Sequence, residues 1–172
     1  RSNMFLLRYK ICDEDLVTMT LNDFDEYGNI EGQIELSFNN ETFGYYDDDM
    51  PFGDELLVTW FKLLNQAKNK IKNGEQYVAV MDIESNRWIE FLNGEKTMKV
   101  NLIIETEIKD FGYLVATNPI EQKKYIWSNV ILEKDQFIKE LEYKTKQFID
   151  DIISLNPSLK ESKVLKELKN II

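Results

Sequence analysis

Asp54-Glu55-Leu56-Leu57-Val58-Thr59-Trp60-Phe61-Lys62-Leu63-Leu64-Asn65-Gln66-Ala67-Lys68-Asn69-Lys70-Ile71 is the stretch on which the fold turns. Leu56, Leu57, Trp60, Phe61, Leu63, Leu64, Ala67 and Ile71 share one face at helical spacing, while Lys62, Lys68, Lys70 and Lys72 face away. Asp54 is placed as an N-cap whose carboxylate accepts from the first free amides, and Gly74 can close the helix in the left-handed conformation. The spacing predicts a helix over 54–73, set among short runs of a different period.

On its N-terminal side, Phe5 to Cys12 and Leu16 to Leu21 read as strands parted by the acidic turn Asp13-Glu14-Asp15. Tyr27-Gly28-Asn29 is a turn signal, after which Ile34, Leu36 and Phe38 alternate with Gln33, Glu35 and Ser37, the period of a half-buried strand. Asn39-Asn40 turns the chain back through Phe43 to Tyr46. Beyond the helix, strands are expected at Tyr77 to Ile83, Trp88 to Leu92, Met98 to Ile104, Tyr113 to Thr117 and Tyr125 to Leu132. Asn93-Gly94 joins the second and third of these as a hairpin, and Asn118-Pro119 separates the last two. Phe137, Leu141, Phe148 and Ile152 mark a helix ended by Asn156-Pro157. Ser158 and Glu161 form a capping box opening a last helix with Leu165, Leu168 and Ile172 inward. The expectation is one α+β domain over residues 4–172, with Arg1-Ser2-Asn3 an expression-tag remnant. A single antiparallel or mixed sheet of about eight strands would pack against one central helix and two C-terminal helices.

A chain of 172 residues buries roughly 70% of its unfolded surface and needs no covalent staple for its core. The single cysteine, Cys12, excludes an internal disulfide, and the absence of histidine excludes His-based triads, His-ligated zinc and imidazole acid–base chemistry. No apolar run approaches a membrane span and no signal-peptide layout opens the chain, so a soluble, cytoplasmic protein is expected.

Charge is the most informative property. Residues 1–60 hold 3 basic and 14 acidic side chains, a balance of −11, whereas residues 61–172 hold 18 and 17, a balance of +1. No Lys or Arg lies between Lys10 and Lys62. Within that stretch Tyr45-Tyr46-Asp47-Asp48-Asp49-Met50-Pro51-Phe52-Gly53-Asp54-Glu55 sets five carboxylates among exposed-type aromatics. Rings supply contact area and charges steer encounter, so Tyr45, Tyr46, Asp47, Asp48, Asp49, Asp54 and Glu55 are the candidate partner-binding residues. The plainer alternative is a solvated loop whose acids cap the following helix, where the dipole favours them.

Other features resemble chemistry less well. Asp23-Phe24-Asp25-Glu26-Tyr27-Gly28-Asn29-Ile30 begins like an EF-hand loop, but Ile34 stands where the bidentate acid belongs. With 31 acids, no particular pair is singled out for glycoside hydrolysis. Cys12 has no histidine to activate it and reads as a small hydrophobe. No Gly-rich phosphate loop occurs, and a chain of net charge −10 is a poor ligand for nucleic acid. Trp60, Phe61, Trp88, Phe91 and Trp127 fall on apolar faces and read as core. No catalytic residue, metal site or cofactor is expected.

The order of strands with Gly28-Asn29-Ile30-Glu31-Gly32, the Tyr/Asp loop, the helix with Leu57-Val58-Thr59-Trp60-Phe61, hairpins around Trp88 and a strand leading into Phe137-Ile138-Lys139-Glu140-Leu141 resembles small bacterial immunity proteins encoded beside polymorphic or contact-dependent toxins. The resemblance is one of layout, over roughly Met4 to Asp151, without a diagnostic motif, and the helix after Pro157 lies outside it. It implies a cytoplasmic binding protein that neutralises a cognate toxin domain, a basic nuclease being one form, by occupying a phosphate-binding site with acidic surface. Two other classes stay open: a structural or adaptor domain whose last helix (Leu165, Leu168, Ile171, Ile172) packs on another subunit, and an enzyme using carboxylates with or without a divalent metal.

Overall fold

A computed structural model describes residues 4–82, 84–107 and 114–172. The expected tag remnant at 1–3, the expected strand end at Ile83 and the expected strand start at Tyr113 lie outside the described residues. The strands form two antiparallel sheets, not the single sheet expected from sequence. In the first, β2 (Glu31–Phe38) pairs with β1 (Phe5–Ile11), with β3 (Glu41–Gly44) and with the short β4 (Glu55–Leu56). Helix α2 (Leu57–Lys72) lies in sequence between the strands of the first sheet and those of the second. The second sheet has β5 (Tyr77–Met81), β6 (Arg87–Asn93), β7 (Thr97–Glu105), β8 (Val115–Ala116) and β9 (Lys123–Glu133) in the order 8-5-6-7-9.

One apolar cluster joins both sheets and the helices. Phe38 of the first sheet meets Phe91 and Trp127 of the second at 6.4 and 5.4 Å, and Phe61 of α2 stacks on Phe148 of α3 (Lys134–Leu155) at 4.4 Å. Trp60, Phe61, Trp88 and Phe91 are buried as the sequence predicts, and Trp127 is partly buried. A smaller cluster of Tyr77, Ala79, Trp88, Ile103, Ala116 and Ile120 covers the other face of the second sheet. There the buried Glu90 accepts hydrogen bonds from Tyr77, Lys123 (2.6 Å) and Asn101 (3.2 Å).

Four local expectations are corrected. Leu16–Leu21 is not a strand: Glu14–Thr18 is a turn of 3-10 helix, and Thr20 caps α1 (Leu21–Tyr27) by accepting from Asp23 N. Asp54 does not cap α2, because the helix begins three residues later. Its first amides go to residues far back in the chain, Leu57 N donating to Ile30 O and Val58 N to Asn29 Oδ1. Lys68 does not face away, since α2 is enclosed by both α3 and the sheets; the side chain is fully buried and bonds Glu142 at 3.1 Å. Finally, Ser158 and Glu161 form no capping box. Pro157–Leu159 is a 3-10 turn, Ser162 caps α4 (Lys163–Ile171), and the Asp25 carboxylate accepts from Lys163 N and Val164 N. The apolar face of α4 is spent within the chain, with Val164, Leu165 and Leu168 buried. Gly74 closes α2 in the left-handed conformation as expected, at φ +90°, just after the C-cap Asn73.

Candidate functional site

The acidic loop leaves β3 through Gly44, whose φ of +83° and close approach to Ile34 O exclude a side chain. It then folds back over the outer face of β2. Gln33 is buried there and receives it: Gln33 Oε1 accepts from Asp47 N at 2.9 Å, and Gln33 Nε2 donates to Met50 O and Phe52 O at 3.1 and 2.9 Å. Lys10, beside Gln33 on β1, donates through Nζ to the backbone carbonyls of Asp48 and Met50 at 2.9 and 2.7 Å. Asp47 Oδ1 accepts from Asp49 N, a local turn that fixes the tip.

Two cations are therefore close, yet neither Lys10 nor Arg8 neutralises the loop by ion pairing. Lys10 is spent on carbonyls, and Arg8 lies 4.0 Å over the Tyr46 ring and pairs with Glu35. Among the described residues no Lys or Arg nitrogen is within 4.0 Å of the carboxylates of Asp47, Asp48, Asp49, Asp54 or Glu55. The four aspartates are exposed, as are Tyr45 and Phe52, the latter at 65%. A hydrogen bond to Asp48 pushes the Tyr46 phenol above its ordinary value. With Asn29 serving as the remote cap of α2, the plainer alternative of helix-capping acids has no role for Asp54.

Glu55 differs from its neighbours. It is half-buried and accepts from Trp60 Nε1 at 2.8 Å. Burial, with the charges of Asp82, Glu84 and Asp54, pushes its carboxyl up, against the lowering effect of the indole donor. The aspartates at 47–49 and the pair Asp54/Glu55 thus form two adjacent parts of one surface, and the second part recruits Asp82 and Glu84 from beyond β5. Together these four acids line a dimple of about 40 Å³ with Leu56, Thr59, Trp60, Leu63 and Met81. A polar cleft on the other side of the loop is lined by Arg8, Tyr9, Tyr46, Lys144, Gln147 and Asp151.

Sequence reasoning missed Lys10, Gln33, Asp82 and Glu84. Lys10 carried a signal, being the last cation before an acid-rich stretch; Gln33 carried none, since its place in the alternation marks it as solvent-facing. The EF-hand-like acids Asp23 and Asp25 sit on α1, and Asp25 is engaged by α4. Cys12 is half-buried rather than buried, with burial pushing its thiol up. Among the described residues no three His, Cys, Asp or Glu side chains are grouped to hold a metal ion, and no helix is long and apolar enough to cross a membrane. The chain matches no protein-family model, no curated protein and no solved structure.

Proposed function

We propose that this chain is an immunity-type binding protein that neutralises a cognate toxin domain in the cytoplasm through its acidic loop. The observation that carries this is the braced, uncompensated loop: four exposed aspartates beside exposed Tyr45 and Phe52, held by Gln33 and Lys10 through the backbone alone. A loop fixed in this way presents charge without losing ordering entropy on association, and an unpaired acidic surface steers a basic partner toward it. A basic nuclease domain is the toxin class this charge suits best, because its phosphate-binding surface is complementary.

The test is co-expression with the toxin domain encoded beside this gene, followed by association kinetics of the purified pair. The wild-type chain restores growth. The Asp47→Asn/Asp48→Asn/Asp49→Asn variant associates at least about tenfold more slowly at low salt, with a shallower salt dependence and an unchanged melting temperature. Unaltered kinetics in that variant would reject the loop, and failure of the chain to restore growth would reject the function.

A further inference from the structure

We propose that the dimple beside Asp54 seats an arginine side chain of the protein partner, a subsite that rests on the binding function argued above. The floor is apolar, with Trp60 and Met81 prominent, and its volume of about 40 Å³ suits the methylene stem of one side chain. Its lining is also acidic from two parts of the chain, Asp54 and Glu55 ahead of α2 and Asp82 and Glu84 after β5. Of these four, Asp82 has a cation at hand, Arg87 Nη2 at 3.4 Å, and among the described residues the other three have none.

Arg87 also shows what this neighbourhood accepts. Its guanidinium lies 4.8 Å over the Phe43 ring, and Phe43 packs against Trp60 at 5.5 Å. A carboxylate at the edge and a ring at the face therefore already hold one guanidinium next to the dimple. Arginine fits better than lysine, because its planar fork reaches carboxylates on two sides and is more weakly hydrated, so it loses less on entering an apolar floor. Burial raises the Glu55 carboxyl most, and the repulsion from Asp82, Glu84 and Asp54 that adds to it is relieved by that charge.

The probe is N-acetyl-arginine methylamide, titrated at low salt into the whole protein and followed by the indole N–H resonance of Trp60. The norleucine and lysine analogues serve as comparisons. A saturable shift with the arginine probe is expected. It should be several-fold weaker with lysine, absent with norleucine, and reduced at least about fivefold in affinity in Asp54→Asn/Glu84→Gln, whose replaced side chains are exposed. An equal response to norleucine would make the dimple a simple apolar pocket, and no saturable response to arginine would likewise overturn the proposal. Toxin neutralisation reports separately. Neutralisation without arginine binding sinks this subsite and leaves the function standing, whereas arginine binding without neutralisation does the reverse.

Discussion

Gln33 spends its entire side-chain amide on a loop that begins more than ten residues away, and nothing else in β2 is built that way. Replacing it by Leu keeps the volume and strands the Asp47 amide and the Phe52 carbonyl, Met50 O keeping its bond from Lys10, so Gln33→Leu is expected to cost about 2–4 kcal/mol in urea unfolding. Amide exchange at Asp47 should quicken in parallel; unchanged exchange would mean that Lys10 alone holds the loop. Glu55 gives a prediction in pH. Its folded carboxyl binds a proton more tightly than the ordinary value of 4.5, so the folded state loses stability as pH rises through the shifted range and recovers it in acid. Glu55→Gln keeps an acceptor for Trp60 and removes the charge. It should therefore melt above the wild type at neutral pH, the difference fading below about pH 4.5, and a variant that melts lower at neutral pH would contradict this account. Glu55 was legible in the sequence as an acid beside aromatics. Its distinct environment was not, because the burial that raises it is set by packing, and the charges that add to it, Asp82 and Glu84, arrive from the far side of α2.

At the scale of elements, α2 and α3 meet across a buried charge. Burial pulls the Lys68 ammonium below its ordinary range, and Glu142, itself held low by Lys68, Lys72 and Lys146 despite its own burial, opposes that effect. Removing the ammonium and removing its counter-charge should therefore differ in sign or size. Lys68→Met is expected to be neutral or mildly stabilising, and Glu142→Ala to cost about 3 kcal/mol, because it leaves an ammonium buried without its partner. Equal losses in thermal unfolding would refute the distinction. A second device joins α3 to the open side of β1. Gln136 pairs with both Phe5 N and Phe5 O, Glu140 accepts from Leu7 N, and Lys144 donates to Leu7 O, at the one-turn spacing that puts all three on one helix face. An uncapped strand edge is a template for pairing. Gln136→Ala/Glu140→Ala should thus self-associate by light scattering at concentrations where the wild type does not. The sequence showed that α2 and α3 exist, through strong 3.6-residue periodicity, and where α3 ends, but misplaced the start and cap of α2 and the opening of α4. Asn29 and Asp25 cap helices far from them in sequence, and local spacing carries no trace of such partners.

For the whole molecule, the division of charge at residue 60 was visible in the sequence and proved incomplete. Asp82 and Glu84 belong to the second, nearly neutral part of the chain, yet face the acids of the first around the same dimple. The number of strands was nearly right while their partition into two sheets was not, since alternation identifies a strand without naming its neighbours. The edge of β1 carries one more consequence, for how the chain is made. Phe5 and its partner Gln136 are 131 residues apart, so a ribosome adding about 5–20 residues per second delivers the cap roughly 7–26 seconds after the strand it covers. Throughout that interval the growing polypeptide exposes an uncovered strand, which makes this edge one for a nascent-chain chaperone to protect.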